Sequence, residues 1–205
     1  MGASMAISRK ELKAAARQQI KGNVATFFGL SVIFALINMI SGTLVFGPLV
    51  LMGPLALGFA MFILEVVRTR DGKFETGFKG FKQFGAAFVA SLLMCFFILL
   101  WSLLLFVPAI IADLRYSMTY FIIADNPGIS GMAAIKKSKE MMKGHKWELF
   151  MLRLSFFWWI LLIFITFGLA AIYVAPYMHA TTANYYEKLK SERSAQPAPA
   201  TPEGN

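Results

Sequence analysis

The sequence predicts an all-α, polytopic membrane protein with six transmembrane helices arranged as three hairpins. Three observations lead there. First, 58% of the 205 residues are hydrophobic and only 15% are charged, with a mean hydropathy of +0.62, whereas a soluble globular domain carries about 25% charged residues. Second, the apolar residues gather in uncharged runs of about 20 residues, the length that crosses a hydrocarbon core. Third, the lysines and arginines sit in alternate connections between those runs.

The first run covers residues 24–46 and has no charged residue. Gly47-Pro48 punctuates it, and a second run over residues 48–67 carries Glu65 near its end. Pro48 and Pro54 fall in the first turns of that run, where a missing amide proton costs little. A third run covers residues 84–107 and is broken by Pro108; a fourth covers 108–124 and carries Asp113 and Arg115. The fifth and sixth cover 148–167 and 168–186. Residues 24–186 thus form the membrane domain. Residues 1–23 form an N-terminal cytoplasmic amphipathic helix, and the Pro/Ala/Ser-rich stretch 191–205 is expected to be a disordered cytoplasmic tail.

The net charge of +9 could point to nucleic acid, but the positions of the basic residues argue otherwise. All of them except Arg115 and Arg153 lie before the first run, between the second and third, between the fourth and fifth, or after the sixth. The connections near Gly47, Pro108 and Gly168 have none. That alternation obeys the positive-inside rule and predicts a multi-pass inner-membrane protein with both termini cytoplasmic and no nucleic-acid partner. No signal peptide is expected, because the first apolar run is far longer than an h-region. The opening resembles a myristoylation start but has Ala6 where Ser or Thr is needed.

The basic segments are themselves patterned. Ser8 and Glu11 have the spacing of a capping box, and Leu12, Ala15, Ala16 and Ile20 then share one helical face. Ala134, Ile135, Ser138, Met141 and Met142 form a similar stripe, with Lys136, Lys139, Glu140 and Lys143 on the other side. The middle segment has Phe74, Phe78 and Phe81 at four- and three-residue steps, loosened by Gly77 and Gly80. Amphipathic interfacial helices are therefore expected before transmembrane helices 1, 3 and 5. Such helices lie in the headgroup layer and offer lysines to anionic lipid. Lys136, Lys137, Lys139 and Lys143 are the candidate headgroup contacts, with docking of a cytoplasmic protein or of a specific lipid headgroup as the rival role.

Ala124-Asp125-Asn126-Pro127, Ala134-Ile135, Ser138, Met141-Met142 and Gly144-His145-Lys146 resemble the central stretch of a known family. Ser155-Phe156, Trp159, Thr166, Gly168, Pro176-Tyr177 and Tyr185-Tyr186 resemble its C-terminal half, and Ser8-Arg9-Lys10-Glu11-Leu12-Lys13 its usual start. It comprises the bacterial integral membrane proteins catalogued as domain of unknown function nine hundred and seventy-five. The resemblance implies a multi-spanning protein and no established activity. Val107-Pro108-Ala109-Ile110 stands where the family has Ile-Pro-Gly-Ile, and Phe157-Trp158 where it has smaller residues; both departures bear on helix packing.

Ionisable and polar groups within spans are the default functional candidates. Here they are Asn38, Glu65, Asp113, Arg115, Arg153 and His179. Asp113 and Arg115 lie roughly 7–11 Å in from Pro108 at 1.5 Å per residue, and their spacing points them in different directions. They either reach outer headgroup water from a short helix or line a polar cavity. Arg153 and Glu65 lie at similar depth, so a pair between them is expected, with snorkelling to the inner interface as the rival for Arg153. His179 shares a small-residue face with Ala171 and Ala175, which suggests that it points into the bundle, either packed against a backbone carbonyl or facing a pathway. Asp125-Asn126-Pro127 is expected to form a capped turn.

One cysteine, Cys95, and two histidines exclude a disulfide framework and multi-Cys or His-rich metal sites. No His-Glu-x-x-His, Walker, Gly-x-Ser-x-Gly or Cys-x-x-Cys motif is present. No cofactor is expected. The expected function is therefore non-enzymatic: interaction with anionic lipid, with a membrane-protein partner or a second copy of the chain, or protection against membrane-active peptides. A small transporter using Asp113, Arg115, Arg153 and His179 is the alternative, and a lipid-modifying enzyme comes third.

Overall fold

The computed structural model describes residues 9–41, 47–104, 106–166, 168 and 170–195. Their regular structure is entirely helical. Helix α1 (Arg9–Ile20) has Glu11 in its first turn and Arg17 in its last, which complements the helix dipole. It buries Leu12, Ala16 and Ile20. The Ser8 end of the expected capping box lies outside the described residues. The apolar stripe of α1 faces protein: it packs on α10 (Ala171–Ala195) and α3 (Gly47–Thr69). Gln19 and Asn184 exchange side-chain amide hydrogen bonds at 3.1 and 2.6 Å across that contact, and Gln19 also donates to the Val67 carbonyl at 3.0 Å. The expected interfacial helix is thus held to the bundle by its apolar face, because internal helices offer it more fixed apolar contact than lipid.

At Gly22, with φ of +91°, the chain bends by 86° into α2 (Val24–Ser41). Phe27, Leu30 and Phe34 carry its buried face. α3 follows with Pro48 in its first turn, as expected, but Pro54 lies inside the helix. The Asn23 side chain then ties two turns together: its Nδ2 donates to the Arg70 carbonyl at 2.9 Å and its Oδ1 accepts from the Gly72 amide at 2.9 Å. Arg70 between them has φ of 60°, a left-handed backbone that the side-chain clamp stabilises.

The middle basic segment is a 3-10 helix, Phe74–Gln83, that runs straight into α4 (Phe84–Leu104). Runs of that length are uncommon for 3-10 structure, and the glycines explain this one. With three residues per turn, residues three apart eclipse, so Phe74, Gly77, Gly80 and Gln83 form one edge, Phe78 and Phe81 a second, and Thr76, Lys79 and Lys82 a third. Gly77 and Gly80 seat against α3: a Cβ on Gly58 would come within 1.8 Å of the Gly77 carbonyl oxygen, and one on Gly80 within 2.2 Å of the Pro54 carbonyl oxygen. A helical period of 3.6 would break that backbone-to-backbone contact.

The fourth expected run is two helices, α5 (Phe106–Tyr116) and α6 (Thr119–Asp125). Pro108 is in the first turn of α5, where it needs no amide proton, so the chain breaks before it and not at it. The fifth run is likewise split into α8 (Lys146–Leu154) and α9 (Phe157–Ile165). Both breaks carry a serine whose hydroxyl competes for helix carbonyls: Ser117 donates to Leu114 at 2.8 Å and Ser155 to Leu152 at 2.5 Å. The Ser155 carbonyl freed by the second break accepts from Lys13 at 3.2 Å. Helix α7 (Gly131–Met141) starts at Ser130, whose hydroxyl accepts from the Ala133 amide at 3.3 Å, and packs its stripe on α4, α5 and α6. Helix α10 runs on to Ala195, so the first residues of the expected disordered tail are helical; the rest of that tail lies outside the described residues.

Two of the described helices are long and apolar enough to cross a membrane, over Val50–Thr69 and Phe74–Leu100. The bent pair Arg9–Ile20 and Val24–Ile40 adds a third if it counts as one span.

Candidate functional site

The polar groups expected at membrane depth are brought together only in part. Arg153 on α8 donates to Asp113 on α5, with both side chains about half exposed. The expected Arg153–Glu65 pair does not form. Instead a Glu65 oxygen accepts from the Lys73 amide at 3.1 Å, where it holds the turn into the 3-10 helix. The reason is geometric: α8, which carries Arg153, is in contact with α5, which carries Asp113. Arg115 lines neither of the cavities that Arg153 lines, and its backbone carbonyl accepts from Ser138 at 2.8 Å. Asn38 donates to the Phe34 carbonyl at 2.8 Å within α2.

The Asp113–Arg153 pair stands between two cavities. One, of about 490 Å³, is lined by Ser91, Cys95, Asp113, Tyr116, Tyr120 and Arg153 among others. The second, of about 640 Å³, shares Ser117, Tyr120 and Arg153 with it and adds Phe59, His179 and Thr182. His179 stands edge-on to Phe59 at 4.9 Å between ring centroids and faces the second cavity. Among the described residues its imidazole makes no hydrogen bond, so the expected carbonyl contact is not the one that positions it.

The tightest polar cluster was not legible beforehand. Asp125, at the end of α6, is 6% exposed and takes three donors: Lys190 at 2.6 Å, Arg68 at 2.7 Å and the Tyr186 hydroxyl at 3.0 Å. The Arg68 Nε also reaches Glu187 at 2.8 Å. Burial alone would push the Asp125 carboxyl up, but the hydrogen bonds from Lys190, Arg68 and Tyr186 outweigh it and hold the group below its ordinary value. The expected turn exists, but Asn126 makes it, donating to the Ile122 carbonyl at 2.7 Å. Asp125 and Tyr186 both belong to the residues that carry the family resemblance, and that was the available signal.

Beside this cluster opens a third cavity, of about 670 Å³, between α3, the 3-10 helix and the α6–α7 turn. Its charged wall residues are Glu65, Arg68, Lys79, Lys82 and Asp125. Of the α7 lysines, Lys136, Lys137 and Lys143 are exposed. Lys139 turns inward over the rings of Phe97 and Tyr116, 5.2 and 5.4 Å from their centroids, so it is a packing residue more than a surface cation.

Helices of this length and apolarity, with basic clusters at one end, define an all-helical protein built to associate with a membrane. The chain belongs to the family described as Protein of unknown function (DUF975), whose model matches residues 5–112 and 103–193. No curated protein and no solved structure matches it.

Proposed function

We propose that this is a non-enzymatic integral membrane protein of the bacterial inner membrane that acts by binding, with anionic lipid at its cytoplasmic face as the first partner. The observation that carries the reading is the division of labour in α1 and α7. Their apolar stripes are buried in the bundle, while Lys136, Lys137 and Lys143 remain exposed. Cations held on fixed helices offer anionic headgroups about 1 kcal/mol each near the surface. Six crossings with both termini inside remain the topology that best explains the charge alternation. On this reading α5 with α6, and α8 with α9, are two broken crossings of the kind tolerated where neighbouring helices and serines take up the freed backbone groups.

Two measurements test it. In a background with Cys95 replaced, Lys73→Cys and Lys139→Cys are shielded from an impermeant reagent outside the cell, while Gly47→Cys and Gly168→Cys are labelled. External labelling of Lys139→Cys overturns the topology. Purification in native nanodiscs with mass spectrometry of whatever co-purifies tests the function, and enrichment of anionic lipid is the expected result. A stoichiometric small solute would favour a permeation pathway instead, a reading supported by the two cavities that meet at Arg153.

A further inference from the structure

We propose that the cavity between α3, the 3-10 helix and the α6–α7 turn is a specific site for a phosphate-bearing anion, with the headgroup of an inner-leaflet phospholipid as its source. The inference deepens the lipid-binding reading and rests on it. Thr76, Lys79 and Lys82 occupy one edge of the 3-10 helix, because residues three apart eclipse at three per turn, with successive side chains about 6 Å apart along the axis. All three line the cavity. Thr76 is 5% exposed, yet its hydroxyl has no hydrogen-bond partner. A buried unpaired hydroxyl is costly unless something satisfies it. The Gln83 side chain, also in the wall, has an unpartnered amide oxygen; its amide can turn to present N–H donors.

The charges in the wall leave a cationic surplus. Asp125 and Glu187 are matched by Lys190 and Arg68, while Glu65, which accepts from the neutral Lys73 amide, keeps its charge and offsets one lysine. Lys79 and Lys82 have no ion pair among the described residues, whereas Arg68, engaged by Asp125 and Glu187, adds nothing to the surplus. Two ammonium groups and a hydroxyl on one edge, with the Gln83 amide on the next, suit a tetrahedral anion, which offers several oxygens, better than a planar carboxylate, which offers two. Met61 and Leu64 form an apolar wall on the α3 side, where the glycerol and first methylenes of a lipid would lie. The volume of about 670 Å³ is within the usual range for a small-molecule site. The edge is also preorganised: Gly77 and Gly80 on the neighbouring edge are seated backbone-to-backbone on α3, so the donors are not free to relax away. The α7 lysines do not line this cavity, which makes them a charged surface against which the site can be compared.

The test is native mass spectrometry of the full chain in detergent micelles. Phosphatidylglycerol and phosphatidylcholine are titrated separately, and inorganic phosphate is added as a competitor. Lys79→Gln/Lys82→Gln is compared with Lys136→Gln/Lys137→Gln, which removes the same charge elsewhere; all four lysines are exposed, so neither pair threatens folding. The site predicts that the first double variant loses phosphatidylglycerol affinity about tenfold while the second changes it less than about threefold. Thr76→Val, with no change of charge, loses about threefold or more, and Thr76→Ser restores it. Equal losses in the two double variants overturn the site while leaving the general lipid-binding reading in place. Failure of the unmodified protein to prefer phosphatidylglycerol over phosphatidylcholine overturns both. Displacement of the lipid by millimolar inorganic phosphate keeps the site but assigns it to a free phosphate, against the source proposed.

Discussion

Lys190 on α10 donates to Asp125 at the end of α6 across 2.6 Å, although the two are 65 residues apart in the chain. Arg68 from α3 completes the pair at 2.7 Å. One nearly buried carboxylate therefore ties α3, α6 and α10 together, and Arg68–Glu187 adds a second link between α3 and α10. The cluster also fixes one wall of the cationic cavity, since Arg68 and Asp125 belong to both.

Removing that carboxylate leaves Lys190 without its counter-charge and Arg68 with Glu187 alone. Asp125→Asn is expected to destabilise the fold by about 1–2 kcal/mol, since the cations it leaves are half exposed, and Tyr186→Phe by about 1 kcal/mol, read as thermal unfolding in micelles. The pH dependence has a definite sign. The folded-state carboxyl lies below its ordinary value of 3.8, so its contribution is complete above that value and is lost as pH falls through the lower folded-state value. The difference in stability between the parent and Asp125→Asn should be constant from pH 7 to 5 and shrink below about pH 4.

The contact of the 3-10 helix with α3 gives a second expectation. Gly58→Ala places a Cβ 1.8 Å from the Gly77 carbonyl oxygen, and Gly80→Ala one 2.2 Å from that of Pro54. Both clashes are with backbone, so neither can be relieved by a rotamer. Each should cost about 1–3 kcal/mol. Gly85→Ala, at the second residue of α4 with nothing near its Cβ, should be neutral or stabilising by about 0.5–1 kcal/mol. Equal effects at Gly80 and Gly85 would show that the segment is an ordinary helix.

Much of the architecture was readable in the sequence, because it rests on composition and period. Hydropathy marked the long helices, and the stripes Leu12–Ala16–Ile20 and Ala134–Ile135–Ser138 marked α1 and α7 as amphipathic. What those stripes face was not readable, since lipid and a neighbouring helix are equally apolar partners. The breaks at Ser117 and Ser155 were hidden for a related reason: a serine in an apolar run is compatible with an unbroken helix until a tertiary contact, such as Lys13 to the Ser155 carbonyl, claims the freed group. Arg153 found Asp113 and not Glu65 because height in the bilayer gives one coordinate, and pairing needs the helix rotation and lateral position as well. Arg68 and Lys190 were read as topological charge, a statistical role that conceals individual partners.

The Asp113–Arg153 pair makes a third prediction. Asp113→Asn and Arg153→Gln each leave a charge beside the shared cavities, and both should lower stability, while the exchanged pair Asp113→Arg/Arg153→Asp recovers part of the loss in a double-mutant cycle. Coupling of about 0.5–1 kcal/mol is expected for side chains this exposed to water, more if lipid excludes water from them. Glu65→Gln should show no coupling to Arg153. A measurable Glu65–Arg153 coupling would restore the pairing that depth alone suggests.

The α7 lysines should separate into two kinds. Lys139 lies over Phe97 and Tyr116, and a cation on an aromatic face is worth about 0.5–2 kcal/mol according to its exposure. Lys139→Gln is therefore expected to lower thermal stability by about 1 kcal/mol with little effect on lipid preference. Lys136, Lys137 and Lys143 are exposed, and among the described residues Lys137 reaches only Asn126, at 3.4 Å. Changing those three to glutamine should leave stability within about 0.5 kcal/mol and weaken retention on anionic vesicles, an effect that salt should erase in the parent. If they act as generic anchors, moving the same charges to other exposed positions of α7 is tolerated, because surface electrostatics counts charge within a Debye length and not register. If a protein docks there, register matters: a rearranged variant of unchanged net charge would fold, stay in the membrane and lose its partner. Loss of a co-purifying protein from that variant, with lipid preference intact, would move the function of α7 from lipid to protein recognition.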